Sequence, residues 1–178
     1  SHDEMMELAS LGAKVLEIRS VQFAKNFSVP LHVRSTFVDT EGTIVVREED
    51  IMEQQFVTGV AHNKNQARIT IMKVPDQPGI AAKIFTPISK ANIVVDMIIQ
   101  NTRAEAMTDI SFTVAKSDFT RSMEVVKRVA REIKAERVLG DENIAKVSIV
   151  GAGMQNHPGV ASRMFAALAK EGITIIVI

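Results

Sequence analysis

The chain builds one corner twice. PDQPGIAAKIF, from Pro75 to Phe85, returns about eighty residues later as NHPGVASRMF, from Asn156 to Phe165. Each Pro-Gly stands between an apolar, strand-like run and an amphipathic, helix-like run. Aligned on the corner, Pro78, Gly79, Ala81, Phe85, Lys90, Ile93 and Ile98 recur as Pro158, Gly159, Ala161, Phe165, Lys170, Ile173 and Ile178. Pattern and identity agree, so the chain carries an internal repeat, and any fold must contain the same strand-corner-helix unit twice.

The first copy can be read almost completely. Phe56 to His62 is a short apolar run, and ARITIMKV from Ala67 to Val74 alternates as a half-buried strand does. After the corner, Ile80, Ile84, Phe85 and Ile88 recur at helical spacing. Pro87 lacks a backbone donor and is expected to kink or shorten that helix. Strands are predicted over Ile93–Ile99 and Asp109–Val114. SDFTRSMEVVKRVAREIKA then forms an amphipathic helix capped by Ser117 or Asp118, and Arg137–Leu139 closes the unit. The order β-α-β-β-α-β is the ferredoxin-like arrangement. The second copy starts again at Ala145–Val150, continues through a helix over Pro158–Lys170 that Gly172 ends, and reaches a strand over Ile173–Ile178. It lacks two strands and a helix, so the reading is of a truncated second unit.

Before Phe37 the pattern differs. Met5, Met6, Leu8, Ala9 and Leu11 line a helix that Gly12 ends, a second helix holds Val15–Phe27, and Val29–Val33 is a strand. Such a piece cannot cover its own apolar faces and is expected to belong to a larger domain. Phe37–Gln55 reads as a solvated linker with a turn-prone Asp-Thr-Glu-Gly and a charge cluster from Arg47 to Asp50. The predicted organisation is a helix-helix-strand piece of a larger domain over 1–37, a linker over 38–55, a first unit over 56–140 and an incomplete second unit over 141–178. The fold class is α+β.

Composition removes several functions. Lys plus Arg and Asp plus Glu both number 21, so no net charge draws the chain to nucleic acid or an anionic membrane. Trp and Tyr are absent and the eight Phe are scattered, which leaves no base-stacking platform. Without cysteine there is no disulfide and no thiolate site. His2, His32, His62 and His157 have no metal-ligand spacing. VGAGMQNHPG has Asn156 at the third glycine position of a dinucleotide fingerprint, so it reads as a turn. No apolar run nears the ~20 residues that span a bilayer, and a cytoplasmic setting is the default.

The corner itself suggests chemistry. A strand entering a helix through Pro-Gly leaves backbone N–H groups unpaired at a positive helix end, which suits a carboxylate. Gly79 leaves room for close approach. Asp76 offers an anion to an ammonium group, and Gln100 and Asn101 add amides. Together these suit a free amino acid. The alternative, a plain tight turn with Asp76 as a surface cap, is not displaced by sequence chemistry alone.

FVTGVAHNKNQARITIMKVPDQPGIAAKIFTPISKANIVVDMIIQN, with TDISFTVAKSD and GDENIAKVSIVGAGMQNHPGVASRMFAALAKEGI, resembles the regulatory region of bacterial aspartate kinases. DEMMELASLGAKVLEIRSVQFAKNFSVPLHVRSTF resembles the end of their amino-acid-kinase catalytic domain. The resemblance implies tandem ACT domains that pair between subunits and bind end-product amino acids, threonine or lysine or both, at the seams. It places effector contacts on Asp76, Gly79, Ile80, Ala81, Val94, Val95, Asp96 and Gln100, with Val160, Ala161, Thr174 and Ile175 on the partner side. Thr174 departs from the Asn common in the family, and the ending IIVI is unusual for it. The parent enzyme would use ATP and Mg2+ to phosphorylate aspartate. The family's phosphate-binding motif has no match here, so this chain alone is expected to be non-catalytic and to hold no cofactor. Met52 stands where the family's separate regulatory subunit would start. Other readings of the sequence are a ligand sensor of another enzyme or regulator, a ferredoxin-like RNA binder, or a purely structural dimerisation module.

Overall fold

The computed structural model describes residues 1–52, 56–102 and 106–178, so the end of the predicted linker lies outside the described residues. The chain divides into two compact units, Asn63–Lys146 and Ser1–His62 with Val147–Ile178.

The inner unit is the complete βαββαβ fold. Its elements are β3 (Gly59–Pro75) from Asn63 onward, α3 (Ile80–Lys90), β4 (Val95–Thr102), β5 (Met107–Val114), α4 (Phe119–Glu132) and β6 (Arg137–Val150) as far as Lys146; α1, α2, β1 and β2 precede them in the chain. The sheet order is β4-β5-β3-β6, which puts β4 at one edge. Ala67, Ile69 and Ile71 of β3 stand opposite Val114, Phe112 and Ile110 of β5. All six are buried with Ile80, Ile84 and Ile88 of α3 and Val126, Val129 and Ala130 of α4. Phe85 meets Phe112 edge-on, with ring centroids 5.3 Å apart. The alternation of β3 and the i, i+4 spacing of α3 are therefore two halves of one core.

The other unit contains α1 (His2–Ser10) and α2 (Ile18–Asn26). It also contains the short antiparallel pair β1 (Leu31–Val33) and β2 (Thr43–Val45), and α5 (Val160–Lys170). His2 is buried, with its N–H on Val46 O at 2.8 Å and its ring Nε2 3.0 Å from Val29 O. Phe23 and Phe27 stack but stay largely exposed.

Several elements differ from the sequence reading. The α2 helix starts at Ile18 rather than Val15, because Glu17 is extended at φ −75°, ψ 134°. Part of the predicted linker is strand β2, held by pairing with β1. The runs Phe56–His62 and Ala67–Val74 are not separate, since β3 continues through the polar residues between them. Likewise β6 joins Arg137–Leu139 to Ala145–Val150. Ser117 and Asp118 give α4 no side-chain cap. Asp118 is itself in a helical turn, and its carbonyl accepts from the Ser122 hydroxyl at 2.7 Å. Pro87 does not shorten α3, which continues to Lys90. It falls in the last turn, where its carbonyl still accepts from Ala91 N–H at 3.1 Å. Ile173–Ile178 forms no strand, because no described strand pairs with it.

Candidate ligand-binding corners

The two corners are one structure repeated in detail. Lys83 N–H bonds Gly79 O at 3.1 Å, and Arg163 N–H bonds Gly159 O at 3.0 Å. The helices that follow end alike. Asn92 N–H bonds Ser89 O at 2.8 Å and Ile93 N–H bonds Ile88 O at 3.3 Å; Gly172 N–H bonds Ala169 O at 3.0 Å and Ile173 N–H bonds Leu168 O at 2.9 Å. Asn92 and Gly172 both have positive φ, so each helix closes through a left-handed residue. Each of these bonds in the second copy is the first copy's bond displaced by the repeat.

At the first corner the Asp76 N–H is held by Ala106 O at 2.8 Å, while its carboxylate is exposed and bonds no described residue. Ile80 N–H is taken by Gln77 O at 3.2 Å and its side chain is in the core. Gly79 and Ala81 lie open to solvent, at the point where helix geometry leaves N–H groups without intrahelical acceptors. The α3 dipole adds positive character there. A carboxylate therefore fits the backbone, and an ammonium fits Asp76.

The remaining first-unit candidates divide by register. Thr102 and Val74 both stand opposite Thr108, so the end of β4 lies abreast of the corner and Gln100 is close to it. Val95 and Ala67 both stand opposite Val114, at the far end of the sheet. Val94, Val95 and Asp96 are thus roughly 20 Å along the strand from the corner. A register shift separates Val95 from Ile98, and Val94 and Ile98 are 78% and 53% exposed on this edge. Asp96 is not free, because the Lys146 ammonium pairs with it. That partner was missed in the sequence; the only trace of it is an opposite charge in a strand far along the chain. A groove of about 550 Å³ between α3 and α4, lined by Lys83, Pro87, Val129 and Glu132 among others, contains none of the sequence-derived residues.

In the other unit Val160 is half-buried, whereas Ala161, Thr174 and Ile175 are exposed. His157 sits against Phe56, with ring centroids 3.7 Å apart. Among the described residues no cluster of His, Asp or Glu could hold a metal, and no helix is long and apolar enough to cross a membrane.

A βαββαβ sheet with an open glycine corner, followed by a second copy of that corner, defines an α+β protein of the ferredoxin-like class with a repeated strand-corner-helix unit. The ACT-domain profile matches residues 72–129 and 147–178. The chain is 52% identical to the aspartate kinase of Stutzerimonas stutzeri over 174 residues, 97% of this chain and 42% of that protein. It is similar to the ligand-free regulatory subunit of aspartate kinase from Thermus thermophilus, at 41% identity and a TM-score of 0.61, covering 66% of this chain and 78% of that one. E. coli aspartokinase III in complex with lysine and aspartate aligns at 25% identity and a TM-score of 0.63, over 94% of this chain and 37% of that one. The chain belongs to the aspartokinase family and carries its ACT regulatory region. It spans about two fifths of the length of the curated relatives it matches.

Proposed function

We propose that this chain is the amino-acid-sensing part of an aspartate kinase. The whole enzyme transfers the γ-phosphoryl group of ATP, with Mg2+, to the β-carboxylate of aspartate in the cytoplasm, and opens the route to lysine, threonine and methionine. This region catalyses nothing itself. Residues 1–37 are the end of the kinase domain, and the ACT units bind threonine, lysine or both to inhibit it. The lysine complex of the E. coli relative supports lysine as one candidate.

The observation that carries the reading is the open first corner, with exposed backbone at Gly79 and Ala81 beside a carboxylate, Asp76, that bonds no described residue. The α-carboxylate of the effector meets the helix N-terminus and its α-ammonium meets Asp76. Gln100 closes the near side. Val94, Val95 and Asp96 are at the wrong end of β4 to reach the same ligand within one copy. Two β4 edges lying antiparallel in a homodimer bring that end to the partner's corner. On this reading Val160, Ala161, Thr174 and Ile175 of a second unit form the opposite wall.

Effector binding inhibits only through a difference in affinity between active and inactive states, and typical couplings of ~1–3 kcal/mol give roughly 5- to 150-fold effects. Calorimetric titration of this chain with the twenty amino acids, paired with inhibition assays on the full-length enzyme, tests the proposal. Saturable heat from threonine or lysine is the expected result. No binding by any amino acid replaces sensing with a purely structural dimerisation role.

A further inference from the structure

Glu4 does more than cap its helix. One carboxylate oxygen, Oε2, accepts from the Ser1 backbone nitrogen at 2.8 Å and from the Ser1 hydroxyl at 2.9 Å, which completes the capping box of α1. The other, Oε1, accepts from the Thr58 hydroxyl and from Ala152 N–H at 3.1 Å. The side chain is only 13% exposed. A capping glutamate needs only the first pair of contacts, so the second pair calls for its own explanation.

The surroundings extend this junction. Thr58 N–H bonds Val150 O at 2.7 Å, which ties the start of β3 to the end of β6. One turn further along α1, Leu8 lies against Gly59, where an added Cβ would stand 2.9 Å from Leu8 Cδ2. Gly151 passes so close to Phe56 that a Cβ there would come within 2.2 Å of its carbonyl oxygen. The Phe56 ring rests on His157, immediately before Pro158-Gly159. An unbroken series of contacts therefore connects α1 to the approach of the second corner.

We propose that Glu4 is a positioning residue that fastens α1 to the Gly151–Ala152 turn leading into the second corner, so that rearrangement at that corner is passed directly to the kinase-domain helix. The regulatory part of this statement rests on the sensing role proposed above; the clamp itself does not. Coupling of this kind requires a packed, contiguous element with alternative arrangements, and the Gly151 close approach leaves that turn little continuous freedom.

The test uses Glu4→Gln, which removes the charge, and Thr58→Val, which removes one donor while leaving the helix cap intact. In the 178-residue chain, amide hydrogen exchange at Ala152 should accelerate about tenfold or more in both variants, a 1.4 kcal/mol change in local opening. Exchange at Ile84 in the other unit should not change. In the full-length enzyme, inhibition by the effector should weaken at least fivefold, while basal kcat and KM stay at wild-type values and effector affinity for the isolated chain is kept. Wild-type exchange at Ala152 overturns the clamp. Faster exchange with an unchanged inhibition curve overturns its role in transmission. If no amino acid binds the wild-type chain the sensing role fails, and Ala152 exchange alone then decides whether the clamp exists.

Discussion

Gly79 and Gly159 hold the same backbone, φ 86°, ψ −3° in one and φ 94°, ψ −3° in the other, and neither has an atom within 4 Å of where a Cβ would stand. The space is open, so what excludes other residues is the left-handed conformation alone. Alanine at either position should cost about 1 kcal/mol, and asparagine less. Urea unfolding of the two alanine variants checks this, and a cost-free Gly79→Ala would show that the turn can relax to another conformation.

Asp76 contributes its backbone to the corner and leaves its carboxylate in solvent. Asp76→Ala should therefore leave thermal stability unchanged and reduce effector affinity by about tenfold or more, equivalent to ~1.4 kcal/mol. Calorimetry on the variant reads this directly, and wild-type affinity removes Asp76 from the site.

Burial works against a charge on Glu4, but hydrogen bonds from the Ser1 nitrogen, the Thr58 hydroxyl, the Ala152 N–H and the Ser1 hydroxyl outweigh it and, in the 178-residue chain, bring its pKa from 4.5 down to about 2. A carboxylate with a depressed folded-state pKa stabilises the fold above its unfolded value and loses that contribution as pH falls. Wild type should thus be more stable than Glu4→Gln at neutral pH, and the gap should close between about 4.5 and about 2. Chemical unfolding across that range is the measurement, and a gap independent of pH would mean that the charge contributes nothing.

Gly151 and Gly59 allow a comparison of two close approaches. A Cβ at Gly151 meets backbone, Phe56 O at 2.2 Å and Val57 Cα at 2.9 Å. At Gly59 it meets only the end of the Leu8 side chain, at 2.9 Å. Gly151→Ala should cost roughly 2 kcal/mol or more, and Gly59→Ala clearly less, because a leucine tip can move aside more easily than the Phe56–Val57 backbone. Equal unfolding midpoints for the two variants would contradict this.

The sequence made some elements plain and concealed others for physical reasons. Ile80, Ile84 and Ile88 announce α3 because one helix face is fully buried, and the Pro-Gly repeat announces both corners. The continuity of β3 is hidden because His62, Asn63, Lys64 and Asn65 are not core residues, and the alternation that marks a strand vanishes where no core presses on it. Strand β2 is short and depends on pairing with β1, so no local pattern shows it. Asp118 looks like a helix cap, but a preceding turn places it inside the helical conformation. At the candidate site, Asp76, Gly79 and Gln100 could be found from the corner chemistry, and the remaining contacts came from family resemblance. The Lys146 partner of Asp96 and the double role of Glu4 depend on contacts between distant parts of the chain, which single-sequence periodicity does not record.

The register of β4 has a consequence for how such a sensor responds. If its far end serves the neighbouring molecule's corner, half of each binding pocket is supplied by another chain, and a diluted monomer presents only an incomplete one. Ligand and self-association then strengthen each other by mass action. The effector concentration needed for half-saturation becomes a property of how much of the protein is present, as well as of the residues that touch the ligand.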